Sequence, residues 1–215
     1  MTTFILLIDC NMIKAIIFDL GGVLVDLDFD ACLRGFKERL GFDRITEILD
    51  RSHQKGIYGE MEEGIITAEE FRSAVLKESR EGSTPEMIDQ CIDDFLTSME
   101  DYKADLLKDL SGKYDLYLLS NNNQIAMNRS YKIWNEMGLD HEKIFKEEFL
   151  SYKMHLMKPG QEIYLEAIRR TGRKPEELLF IDDSQANVDA AKKAGMNADL
   201  YIPGQDLRKL IEAWL

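Results

Sequence analysis

Cysteine is scarce in this chain: three in 215 residues, Cys10, Cys32 and Cys91. An odd number without metal-ligand spacing excludes an even disulfide framework and a thiolate metal site, and reads as reduced thiols of a cytoplasmic protein. Positive charge is short as well. Lys and Arg total 27 against 40 Asp and Glu, a net charge of −13, which argues against nucleic acid or an anionic membrane as partner. An anionic substrate would therefore need positive charge supplied locally. Long apolar runs are missing too. The N-terminal patch Phe4 to Ile8 has no Lys or Arg before it, and is too short for a signal-peptide core or a membrane span. Internal repeats and low-complexity stretches are absent. Residues 1–11 read either as an extension upstream of Met12 or as a short extra strand.

What remains is 45% hydrophobic and 31% charged, the composition of an ordinary globular protein of one domain with an insertion, or two small ones. Its organising stretch runs from Lys14 to Val25. The unbroken apolar run Ala15 to Phe18 stops at a carboxylate, Asp19, and Gly21 and Gly22 follow. Such a run reads as a strand buried on both faces of a parallel sheet. Open α/β sheets bind ligands beyond the C-terminal strand ends, where Asp19 would sit. The two glycines allow a sharp turn and close approach of the backbone to a ligand.

Helices alone are expected from about residue 28 to 99. The first runs to Leu40 and stops at Gly41, and Asp43 to Arg51 is a second. Glu60-Met61-Glu62-Glu63-Gly64 breaks the pattern. Thr67 to Glu70 is a capping box, and Thr84-Pro85 opens a helix to about Thr97. Past Asp101 strands and helices alternate, which predicts βαβ units and a doubly wound parallel sheet. Strands fall at Tyr114 to Leu119, weakly at Glu148 to Ser151, and at Leu178 to Ile181, with a last strand before the helix Leu207 to Trp214.

Three strands thus end in polar groups: Asp19, Ser120-Asn121 and Asp182-Asp183, and a further element opens on Lys158. In a parallel sheet these tips share one edge and can converge. Each has a plainer reading alone: Ser120 as a helix cap, Lys158 as a solvated loop residue, the paired acids as caps of the helix behind them.

Taken together and in order, the segments Phe18-Asp19-Leu20-Gly21-Gly22-Val23, Leu118-Leu119-Ser120-Asn121, Lys158-Pro159 and Phe180-Ile181-Asp182-Asp183-Ser184 with Asn187 resemble the four motifs of the haloacid dehalogenase (HAD) superfamily. Val25 to Phe29 and Gly64 to Phe71 are similar to the glucose-1-phosphate phosphatase-like branch. The resemblance implies a Rossmann-like core over 12–27 and 100–215, and a helical cap over 28–99 acting as a lid. It implies an Mg²⁺-dependent phosphatase of small phosphorylated metabolites, sugar phosphates in particular, working through an aspartyl-phosphate as a monomer or homodimer. Asp19 would be the nucleophile, with Lys158 balancing charge. Asp19, the Gly21 carbonyl and Asp183 would hold the metal, with Asp182 as alternative ligand or supporting partner. Ser120, Asn121 and Gly22 would meet the phosphoryl group.

One position departs from the superfamily pattern. Gly21 stands where most of its phosphatases carry an acid that protonates the leaving group, a contribution of typically ~10²–10⁴-fold. An anomeric leaving oxygen needs that help less. Glu60, Glu62 or Glu63 could lend a carboxyl on cap closure, though each alone reads as a solvated helix charge. Tyr58 to Gly64 is the segment expected to face substrate. The competing readings are a non-catalytic phosphometabolite-binding protein, which Gly21 favours, and a metal-free dehalogenase, which the paired acids disfavour. A phosphomutase is disfavoured by Gly21.

Overall fold

The computed structural model describes residues 13–49 and 55–215. The patch Phe4 to Ile8, Cys10 and the end of the expected Asp43 to Arg51 helix lie outside them. Five parallel strands form one sheet in the order β3-β2-β1-β4-β5: β1 Ala15–Phe18, β2 Asp115–Ser120, β3 Glu147–Leu150, β4 Leu178–Asp182 and β5 Asn197–Leu200. Central β1 pairs on both edges, Ile16 standing between Leu116 and Leu179.

Strand alternation sorts the core into two layers. Ile16, Phe18, Leu116, Leu118, Leu179 and Ile181 pack into one cluster, which continues into the helical insertion. Ala15, Ile17, Tyr117, Leu119, Leu178 and Phe180 pack into the other. No residue of β1 exposes any surface, as expected of a strand covered by helices on both faces.

The insertion between β1 and β2 begins with α1 (Phe29–Arg34), which continues through a wider π-type turn to Arg39, followed by α2 (Ile45–Ile48), α3 (Gly56–Glu62), α4 (Ala68–Glu78) and α5 (Pro85–Asp93). No strand is present there among the described residues. The capping box of α4 forms as expected: Thr67 N–H donates to Glu70 Oε2 at 2.8 Å, and Glu70 N–H to Thr67 Oγ1 at 3.2 Å. Two expectations change. The Thr84-Pro85 helix ends at Asp93, not near Thr97. Glu60 to Gly64 does not interrupt the pattern; its first three residues complete α3, a helix the sequence did not announce.

The two connections to the insertion run antiparallel beside each other. Asp26 N–H donates to Ser98 O, Thr97 N–H to Asp26 O and Asp28 N–H to Phe95 O, at 2.8–3.0 Å, and Leu27 faces Leu96. The core grips this ribbon from one side: Arg129 donates to the carbonyls of Leu96 (3.1 Å) and Thr97 (3.2 Å).

The remaining helices are α6 (Asp101–Ser111), α7 (Gln124–Glu136), α8 (His141–Ile144), α9 (Ser151–Met154), α10 (Gln161–Thr171), α11 (Gln185–Lys193) and α12 (Leu207–Glu212). The short α8 and α9 were not expected; α9 occupies the corner after β3, where it touches the insertion. No helix among the described residues is long and apolar enough to cross a membrane.

Candidate active site

The C-terminal tips of β1, β2 and β4 open into a cleft of about 650 Å³. Asp19 extends the β1 ladder by one bond, its N–H donating to Ile181 O at 2.9 Å. The chain then turns tightly, with Gly22 N–H bonded to Val25 O at 2.8 Å. Gly22 has φ +77°, and a side chain there would collide with the Asp183 carboxylate. Only glycine adopts that backbone freely, and only glycine leaves the carboxylate its place.

Lys158 is buried and bridges two acids. Its Nζ lies 2.8 Å from Asp19 Oδ1 and 2.6 Å from Asp182 Oδ2. The side chain of Asn121 fixes this lysine from behind: Nδ2 donates to Lys158 O at 2.9 Å, and Lys158 N–H donates to Oδ1 at 2.8 Å. An Asn121 contact to a ligand would therefore come from its main chain. Ser120 lines the cleft, and its hydroxyl makes only a long 3.4 Å bond to Asn121 O.

The adjacent acids occupy different environments. Asp182 is fully buried. Beyond the lysine, its Oδ1 accepts from Ser184 N–H at 2.8 Å and from Asn187 Nδ2 at 2.9 Å. Asp183 is exposed on the cleft wall. Burial pushes the Asp19 carboxyl well above the usual carboxylate range; Lys158 opposes the shift, and Asp182 and Asp183 add to it. Asp183, exposed as a residue, is raised by partial desolvation of its carboxyl at the cleft wall and by the charge of Asp182, with Lys158 opposing. Burial works against charge on Lys158, but Asp182 and Asp19 more than offset it and hold the ammonium protonated. The cluster thus carries three carboxyls and one cation, an excess of negative charge.

A divalent cation relieves that excess, and the donor set fits one. Asp19, Asp182 and Asp183 each offer an oxygen within 4.8 Å of the others. Buried Asp19 Oδ1 has no hydrogen bond despite its ion pair. With Asp182 committed to Lys158, Ser184 and Asn187, Asp19 and Asp183 are the acids with oxygens to spare. Hard oxygen donors with one or two protein carboxylates suit Mg²⁺. Gly21 lines the same cleft.

A family model described as haloacid dehalogenase-like hydrolase matches residues 13–195. The chain belongs to this family. Among HAD proteins it is similar to a HAD family enzyme from Bacteroides thetaiotaomicron, solved in complex with magnesium and inorganic phosphate: 34% identity, TM-score 0.82, covering 92% of this chain and 98% of that one. A HAD-like family hydrolase from Porphyromonas gingivalis is 32% identical with TM-score 0.85, over 94% and 97%. D-ribitol-5-phosphate phosphatase of B. thetaiotaomicron is 33% identical over 199 residues, 92% of this chain and 96% of that protein. The L-2-haloacid dehalogenase of Xanthobacter autotrophicus, 19% identical with TM-score 0.59 over 93% and 81%, shares the fold alone.

All the residues expected at the HAD site, Asp19, Gly21, Gly22, Ser120, Asn121, Lys158 and Asp183, meet around this cleft. The insertion adds two side chains from α3, Tyr58 and Glu62. Tyr58 is buried and its hydroxyl accepts from Asn123 Nδ2 at 3.4 Å; burial, then Glu62, raise its pKa. Glu62 is not the solvated helix charge its sequence suggests: it is 7% exposed. Glu63 is exposed and Glu60 half-buried. Leu27, Phe95 and Leu96 give the cleft an apolar rim. They come from the two connecting segments, whose pairing across some seventy residues left no periodic signal in the sequence.

Proposed function

We propose that this chain is an Mg²⁺-dependent phosphatase of small phosphorylated sugars or polyols. The observation that carries the reading is Lys158 lodged between Asp19 and Asp182 with Asp183 alongside. This arrangement suits an anionic nucleophile that must meet an anionic substrate. Asp19 attacks phosphorus and becomes an acyl phosphate, which water then cleaves. Lys158 stays charged throughout and stabilises negative charge on the nucleophile and the phosphoryl oxygens. Ser120, the main chain of Asn121 and the turn at Gly22 receive those oxygens. Asp19, Asp183 and the Gly21 carbonyl would hold Mg²⁺, whose charge lets carboxylate and phosphate approach. Asp182 orients Lys158.

In this reading residues 12–27 and 100–215 form the catalytic core and 28–99 a lid that excludes water and reads the leaving group. Free, buried Cys32 and Cys91 suit a reducing cytoplasm. The net charge of −13 favours a small substrate over nucleic acid. The similarity to a D-ribitol-5-phosphate phosphatase puts five-carbon polyol and sugar phosphates first among substrates.

The test is phosphate release from pentitol, pentose, hexose and glycerol phosphates, with Mg²⁺ and with a chelator. Metal-dependent release is expected, strongest with a polyol or sugar phosphate. Absence of release from every ester, in protein that binds Mg²⁺ and inorganic phosphate, would overturn the reading in favour of a binding protein.

A further inference from the structure

The core of this site lacks a proton donor. Gly21 has no side chain where the HAD pattern places one, Lys158 is held between two carboxylates, and Asp182 is saturated with hydrogen bonds. Yet a polyol 5-phosphate releases a primary alkoxide, a poor leaving group that needs a proton.

Glu62 meets the requirements for supplying it. It closes α3 at the cleft, opposite Asp19 and Lys158. Its side chain is largely buried yet lines the cleft, and among the described residues no hydrogen bond ties up its carboxyl, which leaves it free to meet a ligand there. Burial, reinforced by the charge of Asp19 and opposed by Lys158, pushes it up to about 8, in the direction that favours the protonated carboxyl.

Its main chain, by contrast, is pinned to the core. Ser151 Oγ donates to Glu62 O at 2.6 Å and accepts from Asn122 N–H at 2.9 Å, linking Glu62 to the loop that follows Ser120. His155 Nδ1 lies 3.2 Å from Glu63 O. Gly64, at φ +74°, sits so close to Tyr152 O and the His155 ring that no side chain would fit. The turn is registered while the carboxyl is left unspent.

We propose that Glu62 is the general acid–base of this phosphatase, delivered from the helical insertion in place of a core residue at Gly21. The assignment rests on the phosphatase reading. As Asp19 Oδ bonds to phosphorus and the bond from phosphorus to the leaving oxygen breaks, that oxygen takes the Glu62 proton and departs as an alcohol. Glu62, now a carboxylate, removes a proton from the water that attacks the acyl phosphate. Breaking the bond between phosphorus and Asp19 then releases inorganic phosphate and restores both side chains.

The experiment compares Glu62→Gln with the unaltered chain, in Mg²⁺, on ribitol 5-phosphate and on p-nitrophenyl phosphate. Nitrophenolate leaves without a proton. On the alkyl ester, kcat is expected to fall ~10²–10⁴-fold. On the aryl ester the variant should still give a rapid burst of nitrophenolate, one per enzyme, followed by slow turnover as the acyl phosphate waits for a base. That burst also proves the variant folded. Undiminished alkyl turnover would overturn the assignment. So would the loss of turnover and burst together, which marks a structural or substrate-binding role. If the unaltered chain hydrolyses neither ester nor any other phosphate monoester, the phosphatase reading itself fails and takes the assignment with it.

Discussion

The sheet and the helical insertion both supply carboxyls to one cleft, but hold them in opposite ways. On the sheet side Lys158, Asp182 and Asn121 are locked in place by one another, and Asp19 and Asp183 keep oxygens free for a cation. Lys158 has two acids, Asp182 has three donors, and the two ends of the Asn121 amide clamp the lysine main chain. On the insertion side no hydrogen bond among the described residues holds the Glu62 carboxyl, while its main-chain carbonyl is fixed by Ser151. The sheet presents a preorganised electrostatic field, which is most effective when it need not rearrange during reaction. The insertion presents a partly desolvated carboxyl to the cleft, and its position depends on the turn at Gly64 staying seated. Charge stabilisation and proton transfer should therefore be separable by mutation.

The sharpest division comes from Asp19→Asn. With no nucleophile, turnover on alkyl and aryl esters alike should drop by ~10⁴-fold or more, measured as phosphate release at saturating Mg²⁺. A preference for one class of ester in that variant would break the comparison. Lys158→Ala comes next. It strands Asp19 and Asp182 without their cation, and losing one partner of a buried pair typically costs about 3–5 kcal/mol. Urea unfolding of the metal-free variant should show that loss, partly recovered by added Mg²⁺.

Two glycines sharpen the contrast. Both have positive φ and both abut an atom that leaves no room for Cβ. Left-handed backbone costs a non-glycine residue roughly 1–2 kcal/mol before any clash. Gly22→Ala displaces Asp183, so calorimetry should find Mg²⁺ affinity reduced. Gly64→Ala lifts the insertion turn off Tyr152. It should leave Mg²⁺ affinity unchanged while lowering kcat on alkyl esters more than on p-nitrophenyl phosphate. Equal effects of the two substitutions on metal binding would show that the two sides are not independent.

The smallest effect concerns pH. Asp19 and Glu62 hold protons to higher pH when folded than their ordinary values of 3.8 and 4.5. Above those values the folded chain binds more protons than the unfolded one, so the metal-free protein loses stability as pH rises towards 8. Mg²⁺ prefers the charged carboxylate and releases its proton. The rise in Tm on adding Mg²⁺ should therefore be larger at pH 8 than at pH 5. A shift equal at both would contradict the raised carboxyls.

Much of the sheet side was legible from the chain alone, because a strand buried on both faces requires an unbroken apolar run and the polar residue ending it announces the tip. Ala15 to Asp19 and Leu178 to Asp183 needed no tertiary information. The split between Asp182 and Asp183 did. Adjacent acids at a strand end look equivalent until Ser184 and Asn187 fold back on one of them. Asn121 was read as meeting the phosphoryl group through its amide; that its side chain serves Lys158, 37 positions away, needed the fold. Helix α3 was obscured by Gly56 and Gly59, weak helix formers, and is stabilised by packing against α2 and α4 instead. Glu60, Glu62 and Glu63 offered three carboxyls in four positions. Only Glu62 of the three lines the cleft, at a turn whose main chain is held by Ser151, 89 positions on.

The paired connections at Asp26 and Thr97 have a consequence for how such enzymes diversify. The insertion leaves the sheet and rejoins it through neighbouring main-chain atoms, held by Arg129. A polypeptide loop whose ends already touch can be lengthened with little entropic penalty, since closure rises only as the logarithm of length. The gap between those two crossing points is thus a natural grafting port. Foreign helices bearing other proton donors or other apolar rims could be joined there, inheriting the same phosphate chemistry with a different clientele.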